Sequence, residues 1–453
     1  MSVGSYIAAL LASEKLGGQV TCHRLLPAAD PQYAQTRLPW PTAISRILEQ
    51  RGIAGLYSHQ ALATDHIRAG HSIVAATPTA SGKSLIYNLP VLERHLRDPD
   101  ARALYLFPLK ALAQDQLAAF NALTATWPKD ARPAAALYDG DTTDHFRRKI
   151  RRDPPAVLIS NPEMLHLGIL PHHEQWAAFL AGLTHVVVDE AHTYRGVFGA
   201  HMAQVFRRLN RLAGRYGAKP VYVLCTATVG NPGELGAALT GTAYPAAGEN
   251  STPGGTGSDT SHSATDNIGS GTATTPVFQT VNPTAPPPVV IDKSGAPQGP
   301  RHFVFLNPEQ SPATAAIDLL KAALARNLRT IVYCRSRRMT ELISLWAGQS
   351  GSFASRISAY RAGFLPEARR SIESRMASGD LLAVVSTSAL ELGIDIGGLD
   401  VCILVGYPGT VMATLQRGGR VGRAQQESAV IIVAGEDALD QYFARNPEDF
   451  FSR

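Results

Sequence analysis

The chain has 453 residues, enough for two or three domains, with 45% apolar content and a formal net charge of +5. This composition is ordinary for a globular protein, and the mild positive excess is compatible with a polyanion partner without proving one. No apolar run approaches the ~20 residues of a membrane span, and Cys22, Cys225, Cys334 and Cys402 form no C-x-x-C pair, so they read as reduced core thiols of a cytoplasmic protein.

Residues 1–50 read as a polar, Pro-punctuated N-terminal lead-in packed against the domain that follows. The run Ile7-Ala8-Ala9-Leu10-Leu11, closed at once by Glu14 and Lys15, lacks the basic region of a signal peptide. It reads as a short helix, and a second helical pattern lies near residues 43–51. From 51 to 245, apolar β-branched runs alternate with helical stretches. Strands are expected at 72–76, 103–107, 134–137, 156–160, 185–189 and 221–225. Near-continuous apolar strands separated by helices imply a parallel sheet covered on both faces. Ligands then bind at the carboxyl ends of the strands.

After the first of these strands comes Thr77-Pro78-Thr79-Ala80-Ser81-Gly82-Lys83-Ser84, followed by a helical pattern. Backbone N–H groups at such a helix start point at an anion. Lys83 can reach the β/γ-phosphates of a nucleotide, and the Ser84 hydroxyl can bind Mg²⁺. Thr77 stands where the first glycine of the phosphate-loop pattern belongs; read alone, the stretch could also be a turn of small residues. Strand 185–189 ends in Asp189-Glu190-Ala191-His192. Asp189 suits the metal, Glu190 suits the attacking water, and His192 could hydrogen-bond across the domain and couple the site to motion. Without the upstream loop, the pair would read equally well as a solvated strand end. The run Arg147-Arg148-Lys149-Ile150-Arg151-Arg152 is either a nucleic-acid backbone contact or a solvated helix face.

Residues 246–288 are rich in Gly, Ser, Thr, Asn and Pro and read as a disordered low-complexity insert, with a glycine-rich binding loop as the alternative. A return strand and interdomain linker follow at 289–310, then a second domain at 311–453. Strands are expected there at 330–334, 357–360, 381–386, 401–405 and 429–433, with no second Gly-Lys-Ser. Gln416-Arg417-Gly418-Gly419-Arg420-Val421-Gly422-Arg423 could send Arg420 and Arg423 over a cleft as arginine fingers, or form a simple polyanion patch.

Gln60, Thr79 to Ser84, Pro108-Leu109-Lys110-Ala111-Leu112, Asn161-Pro162-Glu163, Asp189-Glu190-Ala191-His192, Thr226-Ala227-Thr228, Ser386-Thr387 through Asp395, and Gln416 to Arg423 stand in the order of superfamily 2 helicase motifs. Tyr138-Asp139-Gly140-Asp141, the stretch from Thr193 to Gly199, and Tyr360-Arg361-Ala362-Gly363 narrow the likeness. The chain resembles the MrfA-type, RecQ4-like DNA-repair helicases of the DEAH-box kind from about residue 55 to 425. The resemblance implies an α/β fold of two tandem RecA-like parallel-sheet domains, with ATP and Mg²⁺ in the cleft between them. It implies 3′-to-5′ movement on single-stranded DNA, or on DNA with a single-stranded tail. It assigns adenine recognition to Gln60 beside Tyr57, and phosphate binding to Thr79, Ala80, Ser81, Gly82, Lys83 and Ser84. Gly393 and Asp395 would contact ATP from the second domain, where Gln416, Arg420 and Arg423 would join Glu190, Asp189 and Lys83 in catalysis. Pro108, Lys110, Asn161, Arg335 and Thr387 would lie along the strand, and Thr226 and Thr228 would couple the two activities with His192. The family's cysteine-bearing C-terminal region has no counterpart in these residues. A nucleic-acid-stimulated ATPase or ATP-gated clamp without unwinding therefore stands as the alternative; an RNA helicase is a further one, because contacts to the strand's backbone dominate the motif core, and protein partners stay unassigned.

Overall fold

A computed structural model of the chain describes residues 2–244, 285–349, 353–361, 363–390, 398–422 and 425–452. The stretch expected as a low-complexity insert falls outside the described residues except for 285–288, and Gly393, Asp395 and Arg423 fall outside them as well. The chain lays down β1 (Val20–Leu26) and a two-residue pair, β2 (Tyr33–Ala34) and β3 (Leu56–Tyr57). It then builds β4 (Ile73–Ala76), β5 (Arg102–Leu106), β6 (Ala135–Tyr138), β7 (Val157–Ser160), β8 (Leu183–Val188), β9 (Val221–Thr226) and β10 (Val289–Ile291). These seven form one parallel sheet in the order β10-β4-β9-β8-β5-β7-β6. The second half contributes β11 (Arg301–Leu306), β12 (Thr330–Cys334), β13 (Ile357–Tyr360), β14 (Ala383–Ser386), β15 (Val401–Val405) and β16 (Ser428–Val433). Its sheet runs β1-β11-β16-β15-β12-β14-β13 and is parallel except for β1.

The central strands of each sheet are buried on both faces, which is why they read as apolar runs and not as alternating ones. Along β4, Ile73 and Ala75 join one core with Tyr105, Ile159 and Val223, while Val74 joins the other with Leu104, Leu158 and Leu224. The second sheet splits likewise: Val332, Ile403 and Ile431 face one core, and Ile331, Cys402 and Val430 face the other. Helices cover both sides, giving the two tandem RecA-like α/β domains expected from the sequence. Cys225, Cys334 and Cys402 are buried free thiols within these strands.

The N-terminal segment differs from the expectation. The helix Val3–Leu11 places Val3, Tyr6, Ile7 and Leu10 in the core of the second sheet, and the Tyr6 hydroxyl donates to the Leu319 carbonyl at 3.1 Å. β1 then pairs antiparallel with β11. Residues 3–26 therefore belong with the second sheet, not with the domain that follows them. The span 289–310 also divides: β10 closes the edge of the first sheet beside β4, whereas β11 lies inside the second. Burial explains both points, because each segment completes an apolar surface that its sheet would otherwise expose.

Candidate active site

Strand order brings the motifs together. β9 lies between β4 and β8, so the phosphate loop, the Asp189-Glu190 strand end and Thr226-Ala227-Thr228 are neighbours at the carboxyl end of the sheet. The loop turns at Gly82 (φ +76°), where a Cβ would meet the Gln60 Nε2 at 2.5 Å. Thr77 replaces the missing glycine with a buried hydroxyl that hydrogen-bonds Ser81 Oγ at 2.7 Å and closes the loop from within. Lys83, the first residue of the helix Lys83–Arg97, donates from Nζ to the carbonyls of Thr77 (2.8 Å) and Pro78 (2.9 Å). The ammonium is thus held over the loop, where an incoming phosphate would replace the two carbonyls.

Gln60 sits differently from a side chain open to a base. It is buried; its Oε1 accepts from the Tyr57 N–H (2.9 Å) and its Nε2 donates to the Gly82 carbonyl (2.9 Å). Tyr57 stacks on Tyr33 with ring centroids 5.5 Å apart. Gln60 therefore braces the phosphate loop in this structure.

At the β8 end, Asp189 accepts the Glu190 N–H at 2.9 Å, and Glu190 adopts a left-handed backbone (φ +52°). Non-glycine residues rarely hold that conformation, and sites of function are where the strain recurs. Loss of water around Asp189, and then the charge of Glu190, push its carboxyl up from the ordinary carboxylate range. Two oxygen-donor carboxylates under that mutual repulsion fit a divalent cation, as does the hydroxyl of Ser84, the second residue of the helix that follows the loop. His192 Nδ1 lies 3.5 Å from Glu190 Oε2 and 3.3 Å from Thr226 Oγ1, between the acidic pair and the end of β9.

The second domain meets this end of the sheet through the helix Val411–Gly418 and the residues after it. Thr79 Oγ1 donates to the Gly419 carbonyl at 3.2 Å. A cavity of about 210 Å³ lies between the halves, lined by residues 78–81, Thr228, Gln416 and Gly419 among others. Gln416 is buried there, and among the described residues its Nε2 has no hydrogen-bond partner. Arg420 is buried one turn further on. An orphaned amide in the same cavity as the phosphate loop fits a phosphorylated ligand.

The residues expected along a strand fall into two groups, one on each sheet. Pro108 and Lys110 follow β5 and Asn161 follows β7, and these strands are adjacent. Lys110 is exposed and pairs with Asp141 at 2.8 Å, while Asn161 caps its helix through the Met164 N–H. Arg335 follows β12 and Thr387 follows the adjacent β14, and both line a cavity of about 540 Å³. Arg335 is committed to Asp437, Asp440 and the Tyr407 carbonyl. Asp440, which this constellation needs and the sequence reading lacked, is buried and also accepts the N–H groups of Tyr407 and Gly435. His59 was missed too: it binds Ser81 and Gly295, and nothing in the local pattern marks a partner 236 residues away.

Residues 57–235 match the DEAD/DEAH box helicase model, and residues 314–425 match the helicase conserved C-terminal domain. The chain belongs to the superfamily 2 DEAD/DEAH-box helicases. Within this family it is similar to MrfA. Bound to DNA and AMPPNP, MrfA superposes with a TM-score of 0.85 at 38% identity, covering 100% of this chain and 58% of that one. The ATP-dependent helicase YprA of Bacillus subtilis is 42% identical over 94% of this chain and 52% of its own length. The ATP-dependent helicase HRQ1 of Saccharomyces cerevisiae is 34% identical over 86% of this chain and 34% of its own. The chain thus spans about half or less of the relatives' length.

Proposed function

We propose that the chain is the motor core of an ATP-dependent DNA helicase that moves 3′-to-5′ along single-stranded DNA in DNA repair, acting in the cytoplasm. The observation that carries the reading is the shared cleft, where the Thr79–Gly419 contact sets the phosphate loop against Gln416 and Gly419 of the second domain. A nucleotide held by both halves would draw them together, and its hydrolysis would release them. DNA as the polyanion is supported by the likeness to DNA-bound MrfA; polarity and the repair role rest on the resemblance. Among the described residues, no helix is long and apolar enough to cross a membrane.

In this reading Lys83 leaves the Thr77 and Pro78 carbonyls for the β/γ-phosphates. The N–H groups of residues 81–84 cradle the same oxygens, and Glu190 orients the attacking water and takes its proton. Arg420 and Arg423 offset charge on the transferred phosphoryl group, an effect typically worth roughly 10³–10⁵ in rate. Ser84 and Asp189 would hold Mg²⁺, which supplies charge neutralisation on the phosphates. Lys110, Asn161, Arg335 and Thr387 would grip the strand through its backbone, with no base readout. A second reading stands beside this one: a nucleic-acid-stimulated ATPase that clamps without unwinding.

ATP hydrolysis with single-stranded DNA, duplex, RNA and no nucleic acid, run beside strand displacement, tests both. Stimulation by single-stranded DNA is expected, with Lys83→Ala and Glu190→Gln each lowering the stimulated rate by at least about 10²-fold. Equal rates in wild type and variants would overturn the motor, RNA-only stimulation would make it an RNA helicase, and hydrolysis without displacement would favour the clamp.

A further inference from the structure

His59, the second residue of the helix Ser58–Arg68, is buried at 1% exposure beside the phosphate loop. Its Nδ1 lies 3.1 Å from the Gly295 N–H, a donor only, so Nδ1 is the acceptor and carries no proton. The ring proton is therefore on Nε2, which donates to the Ser81 carbonyl at 3.0 Å. Only the neutral imidazole in this tautomer makes both bonds. Burial pushes its pKa down and favours the same neutral form.

The two partners belong to different parts of the machine. Ser81 is in the phosphate loop. Gly295 is in the segment between β10, the last strand of the first sheet, and β11 of the second. That segment is tightly held: the Gln32 N–H donates to the Gly295 carbonyl (2.9 Å), the Ser58 N–H donates to the Gln32 carbonyl (2.7 Å), and Ala29 and Gln298 exchange two bonds of 2.9 Å. A Cβ on Gly295 would fall 2.2 Å from Ser58 Oγ and 2.7 Å from the Gln32 carbonyl, so only glycine passes this close. Downstream, Ala296, Pro297 and Gln298 line the same interdomain cavity as the phosphate loop.

We infer that His59 is a positioning residue that couples phosphate-loop occupancy to the segment joining the two domains. The imidazole is a rigid strut with one nitrogen on each side. Movement of the Ser81 carbonyl as phosphate enters and Lys83 releases its loop carbonyls is passed to Gly295 with no flexible side chain between. Because the bonded segment leads directly into β11, nucleotide binding biases the relative placement of the domains that grip the strand.

The inference rests on the motor reading and is tested by reciprocal coupling. The dissociation constant of AMPPNP is measured with and without a single-stranded oligodeoxynucleotide of about 20 nucleotides. Wild type is expected to show a ratio of about 5–150 between the two. His59→Leu, which keeps volume but loses both bonds, should bring that ratio to within about twofold of one. His59→Gln, whose amide offers one acceptor and one donor, should recover part of it. A folded His59→Leu protein with the wild-type ratio overturns this inference alone; a wild-type ratio of one overturns the motor reading with it. Should His59→Leu fail to fold, hydrogen exchange on wild type provides the test. AMPPNP should change exchange in the peptide containing Gly295, and an unchanged rate overturns the strut.

Discussion

The Thr79 hydroxyl and the Gly419 carbonyl, 340 residues apart in the chain, meet at 3.2 Å across the domain cleft. This contact fixes how near the glycine run of the second domain comes to the phosphate loop. A Cβ built on Gly419 lies 2.1 Å from Thr79 Oγ1. Gly419→Ala should therefore hold the cleft open and lower DNA-stimulated hydrolysis by about tenfold or more. Adding Thr79→Ala to the same chain should return part of the activity, with a coupling of about 0.5–3 kcal/mol in the double-mutant cycle. Additive losses would show that the two residues do not oppose each other.

Asp440 organises the second domain's face around Arg335. It is buried and binds Arg335, the Tyr407 N–H at 3.1 Å and the Gly435 N–H at 2.6 Å. Asp440→Ala should cost about 2–3 kcal/mol by orphaning these donors. The Asp437 side chain is 64% exposed, and Asp437→Asn should change stability by less than about 1 kcal/mol. Urea midpoints of the two variants provide the check, and equal effects would contradict the assignment.

His185 gives folding stability a pH dependence. Burial, then the Arg94 charge, push its pKa from 6.5 to about 4. The fold favours the neutral ring, so this contribution is present above pH 6.5 and is lost as pH falls toward 4. His185→Gln should flatten the decline in unfolding free energy between those values. Denaturation at pH 7, 5.5 and 4.5 measures it, and an unchanged slope would count against a buried neutral ring.

Ile7 tests the placement of the N-terminal helix. It is 1% exposed in the core of the second sheet. Ile7→Ala should cost about 2–4 kcal/mol, and the loss of hydrogen-exchange protection should appear in β11 and β16 before β4. Protection lost first from β4 would return the helix to the first domain.

The strands expected in the two sheets were readable because parallel strands buried on both faces are apolar throughout, as in Ile73-Val74-Ala75-Ala76. The phosphate loop and Asp189-Glu190 were readable because their chemistry lies in contiguous residues. β1 was not: Val20–Leu26 is a half-exposed edge strand whose sequence, Val-Thr-Cys-His-Arg-Leu-Leu, carries no continuous apolar signal. Its register comes from β11, far along the chain. The inward turn of Gln60, the His59 bridge and the Asp440 network were likewise hidden, because each depends on backbone groups supplied by distant segments.

The pairing of β1 with β11 also sets an order of events during synthesis. About 280 residues separate the partners, so at roughly 5–20 residues per second β1 waits about 15–55 s for its neighbour to emerge. The first sheet needs no residue beyond β10 and can complete itself in that interval. The second cannot, since its earliest-made strand and helix must be held in reserve while an entire domain folds between them. A nascent chain stalled before residue 301 would therefore carry a finished phosphate loop and an unshielded apolar helix, Val3–Leu11, at the same time.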